Sequence, residues 1–167
     1  MARKVFYSFR YDVDAHRVQQ VKNMGIVEGQ PILSSNAWEN VAKNGEAAIQ
    51  KWINDNLRGT SCDIVLIGSG TAGRKWVNYE FTKSWADGKG VFGVHVHGLK
   101  DLHGGQDPKG RNPFTGFTLG EGANKQQFDK VVKTYDPPYS SSTSVYSYIS
   151  QNLLKWVESA IEIRRNH

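Results

Sequence analysis

The amino-acid sequence predicts an α/β fold, an open and mostly parallel sheet with helices on both faces, and three observations carry that prediction. Short β-branched and aromatic runs alternate with longer segments of helical spacing. The run Asp63 to Gly68 reads as apolar on both faces, as a strand covered by helices on each side requires. The turn Ser69-Gly70-Thr71-Ala72-Gly73 joins that strand to a helix, at the sheet edge where open α/β folds place ligands. A length of 167 residues fits one domain spanning residues 1–167.

Lys4 to Arg10 has the aromatic and β-branched character of a first strand, whose end carries Ser8, Phe9 and Arg10 toward the same sheet edge as Ser69. Asp12 or Asp14 suits the cap of a following helix, with Val18 and Val21 inward and Gly25 as its stop. Ile26-Val27 reads as a brief strand leading into a loop through Gly29 and Pro31. Asn36, with Glu39 three residues later, resembles a capping box. From there Trp38, Val41, Ala42, Ile49, Trp52, Ile53 and Leu57 predict one long amphipathic helix ended by Gly59, although Gly45 inside it costs up to about 1 kcal/mol relative to alanine.

The helix after the central strand is predicted to run to about Asp87, with Val77, Phe81 and Trp85 inward and Trp76 and Glu80 flanking that stripe. Gly90 to Gly98 is a further strand, with Phe92, Val94 and Val96 on one face and His95 and His97 on the other. Leu99 to Gly122 lacks periodicity, and a loop of that length is functional or mobile. Phe128 to Tyr135 supplies a short strand or a helical turn, and Asp136-Pro137-Pro138-Tyr139 with the serines after it is a surface loop. A helix with Ile149, Leu153, Trp156, Val157, Ala160 and Ile161 inward closes the chain.

Composition narrows the partners. The net charge is +5, but the 21 Lys and Arg residues never exceed two in a row, which argues against a nucleic-acid footprint. The charge suits attraction of a small anion such as a dinucleotide pyrophosphate, or simply a solvated surface. The one cysteine, Cys62, allows no intrachain disulfide and fits a reducing compartment. No apolar run approaches the length of a membrane span and no secretory h-region precedes a cleavage site, so the expectation is a soluble cytoplasmic protein without a membrane partner.

Val5-Phe6-Tyr7-Ser8-Phe9-Arg10 resembles the first box of TIR domains, an apolar strand ending in Ser-Phe and followed by acidic residues. Trp76-Val77-Asn78-Tyr79-Glu80 resembles the W-x-x-x-E helix that carries the catalytic glutamate of NAD-cleaving TIR domains. More specifically, these stretches together with Trp52-Ile53 and Val65-Leu66-Ile67-Gly68-Ser69 are similar to the TIR-like proteins of the Thoeris anti-phage defence system. The resemblance implies a flavodoxin-like fold and an enzyme that cleaves NAD and releases a cyclic ADP-ribose isomer as a second messenger. It also implies a phage-derived trigger and a separate effector protein that the signal activates, and it leaves a homo-oligomer open. NAD would enter as substrate, with no cofactor. Departures are Tyr11, where a glycine commonly follows Ser-Phe-Arg, and Val27-Glu28-Gly29-Gln30-Pro31 in place of a basic, proline-containing loop. The Phe-Trp signature of receptor-type TIR domains near the C-terminus is absent, which weakens an adaptor reading.

Cleavage at the nicotinamide–ribose bond builds positive charge on the ribose while nicotinamide leaves as a neutral base, so one carboxylate beside the ribose suffices. Glu80 is the candidate; otherwise it is a helix glutamate paired with Lys75 or Lys83. Trp76 either stacks on a substrate ring or packs between helix and sheet, and Phe6 and Phe9 lie at the mouth of the first strand. Ser8 suits a ribose or phosphate oxygen and Arg10 the pyrophosphate, against a turn hydroxyl and a solvated cation. Ser69, before a helix N-terminus, suits a phosphate or a cap. The glycine spacing is not a Rossmann fingerprint, which disfavours a dehydrogenase. His95, His97, Asp101 and His103 complete no familiar metal pattern, so no metal site is assigned. The alternative function is a non-catalytic TIR-like module for protein–protein interaction.

Overall fold

A computed structural model of the chain describes residues 2–167. The chain runs through β1 (Val5–Ser8), α1 (Tyr11–Lys22), α2 (Ser35–Lys43), α3 (Glu46–Leu57), β2 (Cys62–Ile67) and α4 (Lys75–Ala86). It continues through β3 (Gly90–His95), the short β4 (Thr118–Leu119) and β5 (Gln126–Gln127), α5 (Phe128–Val131), β6 (Thr134–Tyr135) and α6 (Ser142–Arg165). The main sheet has the order β1-β2-β3-β6 with every pair parallel, and β4 and β5 form a separate antiparallel hairpin. Beyond β1 the chain makes one further parallel bridge, Lys4 to Glu28. With that bridge counted as a rudimentary strand, the spatial order is the flavodoxin-like one, in which the first strand lies between the second and third.

The rudimentary strand explains why Ile26-Val27 does not form a strand of its own. Val5 N–H donates to Glu28 O at 2.7 Å and Glu28 N–H to Arg3 O at 2.9 Å, and there the backbone ladder ends. The Gln30 side-chain amide takes over, accepting from Tyr7 N–H at 2.9 Å and donating to Tyr7 O at 2.8 Å. Gly29 between them lies against the Tyr7 ring, where a Cβ would overlap it.

Alternation along the strands divides the core into two layers. Val5, Tyr7, Cys62, Ile64, Leu66, Phe92 and Val94 pack against Val18 and Val21 of α1 and against Ile149, Leu153 and Val157 of α6. On the opposite face Val65, Ile67 and Val91 meet Val77 and Phe81 of α4, and Phe6 meets Ile49, Ile53 and Leu57 of α3. Each such fully buried aliphatic or aromatic side chain contributes on the order of 1.5–3 kcal/mol. Among the described residues no helix is long and apolar enough to cross a membrane.

The helices depart from the sequence reading in specific places. The long helix predicted over Trp38 to Leu57 is two helices, α2 and α3, because Gly45 takes φ 94°, outside the helical region. Ser34, not Asn36, caps α2, its hydroxyl accepting from Ala37 N–H at 3.2 Å. Neither Asp12 nor Asp14 caps α1. Asp14 instead forms a wholly buried ion pair with Arg17 at 2.7 Å. The segment after β3 is packed, not free: Leu99 and Phe114 are fully buried, and Arg17 donates to Leu99 O and Gly105 O. Residues 128–135 supply both a helical turn and a strand, α5 and β6.

Candidate active site

At the C-terminal end of β1 the sheet opens into a cavity of about 360 Å³ between α4 on one side and α2 with α3 on the other. It lies where parallel sheets expose strand ends and helix starts. Phe6 and Glu80 line its buried side, and Trp38, Trp52 and Trp76 wall it. Tyr11 stacks on Trp38 at a ring distance of 5.3 Å, and Trp38 meets Trp52 edge-on at 5.7 Å, so α1, α2 and α3 each contribute to one aromatic wall. Arg10, Arg74 and Lys75 bring positive charge to the rim.

The turn that delivers α4 is held by Thr71, whose hydroxyl accepts from Gly68 N–H at 2.8 Å. α4 starts at Lys75 after an extended Arg74, with no side-chain cap. Ser69 is therefore neither a cap nor next to a helix N-terminus, which corrects its capping role, and it is exposed and outside the cavity lining. Gly70 admits the Arg10 guanidinium, whose Nη1 a Cβ there would overlap.

Of the residues singled out in the sequence, Phe6, Phe9, Arg10, Trp76 and Glu80 come together around this cavity. Trp76 is half-buried and edge-on to Tyr79 at 5.6 Å, with the Lys75 ammonium over its ring at 5.1 Å. It thus packs in the fold and faces the cavity at once. Arg10 holds Asp12 through two bonds at 2.9 and 3.3 Å, an exposed pairing that an anionic ligand would exchange at little cost. Ser8 is fully buried and is not among the residues lining the cavity, and its hydroxyl donates to Asp63 Oδ1 at 2.7 Å.

Glu80 is 8% exposed and is not paired with Lys75 or Lys83. Lys75 pairs with Glu46 and Lys83 with Asp87. Burial pushes the Glu80 carboxyl well above the usual carboxylate range, the nearby Asp63 adds to that rise, and the Ser8 hydroxyl opposes it. Asp63 is fully buried in β2 and pushed by desolvation up to about 7. A desolvated carboxyl facing an aromatic-walled cavity is suited to meet a cationic ligand, whose charge replaces the lost hydration.

Sequence reading missed Gln30 and the tryptophans of α2 and α3 as members of this site, and it missed Asp63, which is buried in β2 and does not line the cavity. The signal for Asp63 was present, a lone carboxylate inside Cys62-Asp63-Ile64-Val65-Leu66-Ile67. Gln30 and Pro31, in the segment that departs from the TIR pattern, line the cavity as well. His95 is 4% exposed and pushed by burial down to about 4, with His97 edge-on to it at 5.8 Å. Among the described residues no three His, Cys, Asp or Glu side chains are grouped to hold a metal ion.

The sequence profile described as "Thoeris protein ThsB, TIR-like domain" matches residues 6–101, which run from the second residue of β1 through β3 and include every cavity residue named above. A Bacillus cereus (strain MSX-D12) protein named "Putative cyclic ADP-D-ribose synthase ThsB1" is 39% identical over 119 residues. That alignment covers 68% of this chain and 62% of the relative, so the chain spans under two thirds of the relative's length.

Proposed function

The chain belongs to the TIR-like family of Thoeris ThsB proteins, and from that membership we propose that residues 1–167 act as a single TIR-like domain that cleaves NAD and cyclises the ADP-ribose product. The observation that carries the proposal is Glu80, a buried carboxyl facing the cavity, four residues after Trp76 on α4. The relative's printed name, a cyclic ADP-D-ribose synthase, supports the product class.

NAD brings its own cation, the nicotinamide ring, and in a water-poor cavity that charge stabilises Glu80 as a carboxylate. The carboxylate in turn stabilises the ribosyl cation as the bond to nicotinamide breaks and the ring leaves as a neutral base. Arg10 and Arg74 at the rim receive the pyrophosphate, Arg10 by exchanging Asp12 for it. Trp38, Trp52 and Trp76 supply faces for the two bases and exclude water. Capture of the cation by an atom of the substrate's own adenosine closes a ring, whereas capture by water gives linear ADP-ribose. NAD is the substrate, and no separate cofactor takes part. The cyclic product acts in the cytoplasm as a second messenger on a separate effector, after a phage-derived trigger.

Mass spectrometry of the nucleotides formed from NAD, with and without extract of phage-infected cells, tests the proposal. Free nicotinamide and a cyclic ADP-ribose isomer are expected with the extract. Linear ADP-ribose alone would contradict the cyclisation, and no turnover under any extract would contradict the enzyme.

A further inference from the structure

One wall of the cavity is held at very few points. No residue from 31 to 48 is buried, whereas Gln30 before that segment and Ile49 after it are 7% and 8% exposed. Among the described residues no backbone hydrogen bond holds Pro31, Ile32 or Leu33, yet these three and Trp38 line the cavity. α2, which carries Trp38, follows the Ser34 cap and buries none of its nine residues. A helix that short has little stability of its own in water. It therefore depends on the ring contacts of Trp38 with Tyr11 and Trp52 and on whatever fixes the chain leading into it.

Gln30 is placed to do the fixing. Its side-chain amide stands in for the peptide of a neighbouring strand, with Oε1 accepting from Tyr7 N–H at 2.9 Å and Nε2 donating to Tyr7 O at 2.8 Å. Both bonds are buried, and Tyr7 pairs in turn with Ile64 of β2, so the amide is tied to the main sheet. The residue before it is held too: Gly29 lies against the Tyr7 ring, and its carbonyl accepts from the Lys22 ammonium at 3.0 Å. Beyond Gln30 the next hydrogen bond along the chain among the described residues is the cap, Ala37 N–H to the Ser34 hydroxyl.

Resting on the reading of this cavity as the NAD site, we propose that Gln30 is a positioning residue whose amide, anchored on Tyr7, keeps residues 31–38 closed on the cavity. Pro31, Ile32, Leu33 and Trp38 are then in place before NAD arrives. The anchor acts on binding and not on bond cleavage, because Glu80 stands on α4, across the cavity from α2. Without the anchor the wall spends part of its time away from the cavity, and the apparent affinity for NAD falls in proportion to the fraction still closed.

The test compares wild type with Gln30→Met, which keeps the length of the side chain but gives up both bonds, and with Gln30→Asn, which keeps the amide one methylene too short to bridge Tyr7. Each variant is checked for folding by thermal melting, and Gln30→Asn decides should Gln30→Met not fold. Nicotinamide release in extract of phage-infected cells should show KM for NAD raised roughly tenfold or more, with kcat within about threefold of wild type. Hydrogen exchange of the α2 amides, measured without NAD, should quicken by roughly tenfold while exchange in α4 stays as in wild type. A raised KM with unaltered α2 exchange would overturn the anchor in favour of direct contact between Gln30 and the substrate. An unraised KM in a folded variant, or a loss confined to kcat, would overturn it as well. Should wild type cleave no NAD, the proposed function fails, and α2 exchange alone decides whether Gln30 holds the wall.

Discussion

In the unfolded chain Asp63 loses its proton near pH 3.8, whereas burial in β2 pushes the folded carboxyl up to about 7. Between those values the folded state binds more protons, so Asp63 makes the protein less stable as pH rises, by on the order of 4 kcal/mol across the window. Glu80, also raised, acts in the same sense. Neutral His95, pushed down to about 4 from 6.5, acts in the opposite sense, gaining stability with pH between those values. The informative quantity is therefore the difference in melting temperature between Asp63→Asn and wild type, in which His95 cancels. That difference should grow in favour of the variant from about pH 4 to pH 7 and then level off; a constant difference would contradict the buried, proton-holding Asp63. Glu80 was legible in the sequence because a resemblance singled it out, and Phe6, Phe9, Arg10 and Trp76 followed from strand ends and helix spacing. Asp63 stood out as a lone carboxylate in an apolar strand, but its pairing with Ser8 was not legible, because Ser8 is 55 residues away and only parallel pairing of β1 with β2 brings them together. The sealing of Ser8 beneath the cavity was not legible, since a strand-end serine gives no sign of which face is buried.

Arg17 on α1 is fully buried and ties that helix to the segment after β3. It pairs with Asp14 at 2.7 Å and Asp107 at 2.8 Å and donates to the carbonyls of Leu99 and Gly105. Arg17→Met would leave Asp14 buried without its cation and should cost about 3–5 kcal/mol in urea denaturation. Arg17→Met combined with Asp14→Leu should recover part of that loss, because replacing both members of a buried pair removes the stranded charge. A loss below about 1 kcal/mol in the single variant would show that the pair does not hold the segment. This clamp explains why the sequence reading of residues 99–122 as functional or mobile missed its packing: the order comes from side-chain bonds to a distant helix, and such bonds leave no periodicity. Periodicity did identify α1, α4 and α6, with Val18, Phe81 and Leu153 buried as the stripes predicted. It overextended one helix through Gly45, where a backbone turn interrupts a face that stays continuous across α2 and α3.

For the molecule as a whole, the parallel order β1-β2-β3-β6 aligns the strand ends at one edge, and the turn after β2 brings α4 across it. The fold class was legible from alternating elements and from an apolar central strand. The reduced strand at Glu28 was not, because a side-chain amide, Gln30, completes the edge that backbone pairing leaves unfinished. The aromatic wall depends on α2 and α3 folding back against β1, which local sequence does not report. All of this converges on one carboxyl at the buried side of the cavity, and Glu80→Gln keeps its shape while removing its charge. Nicotinamide release from saturating NAD, in extract of phage-infected cells, should fall by about 10²–10³-fold or more in the variant while its melting temperature at neutral pH is retained or rises. Release within about tenfold of wild type by a folded Glu80→Gln protein would contradict the assignment of Glu80 as the carboxylate that stabilises the ribosyl cation.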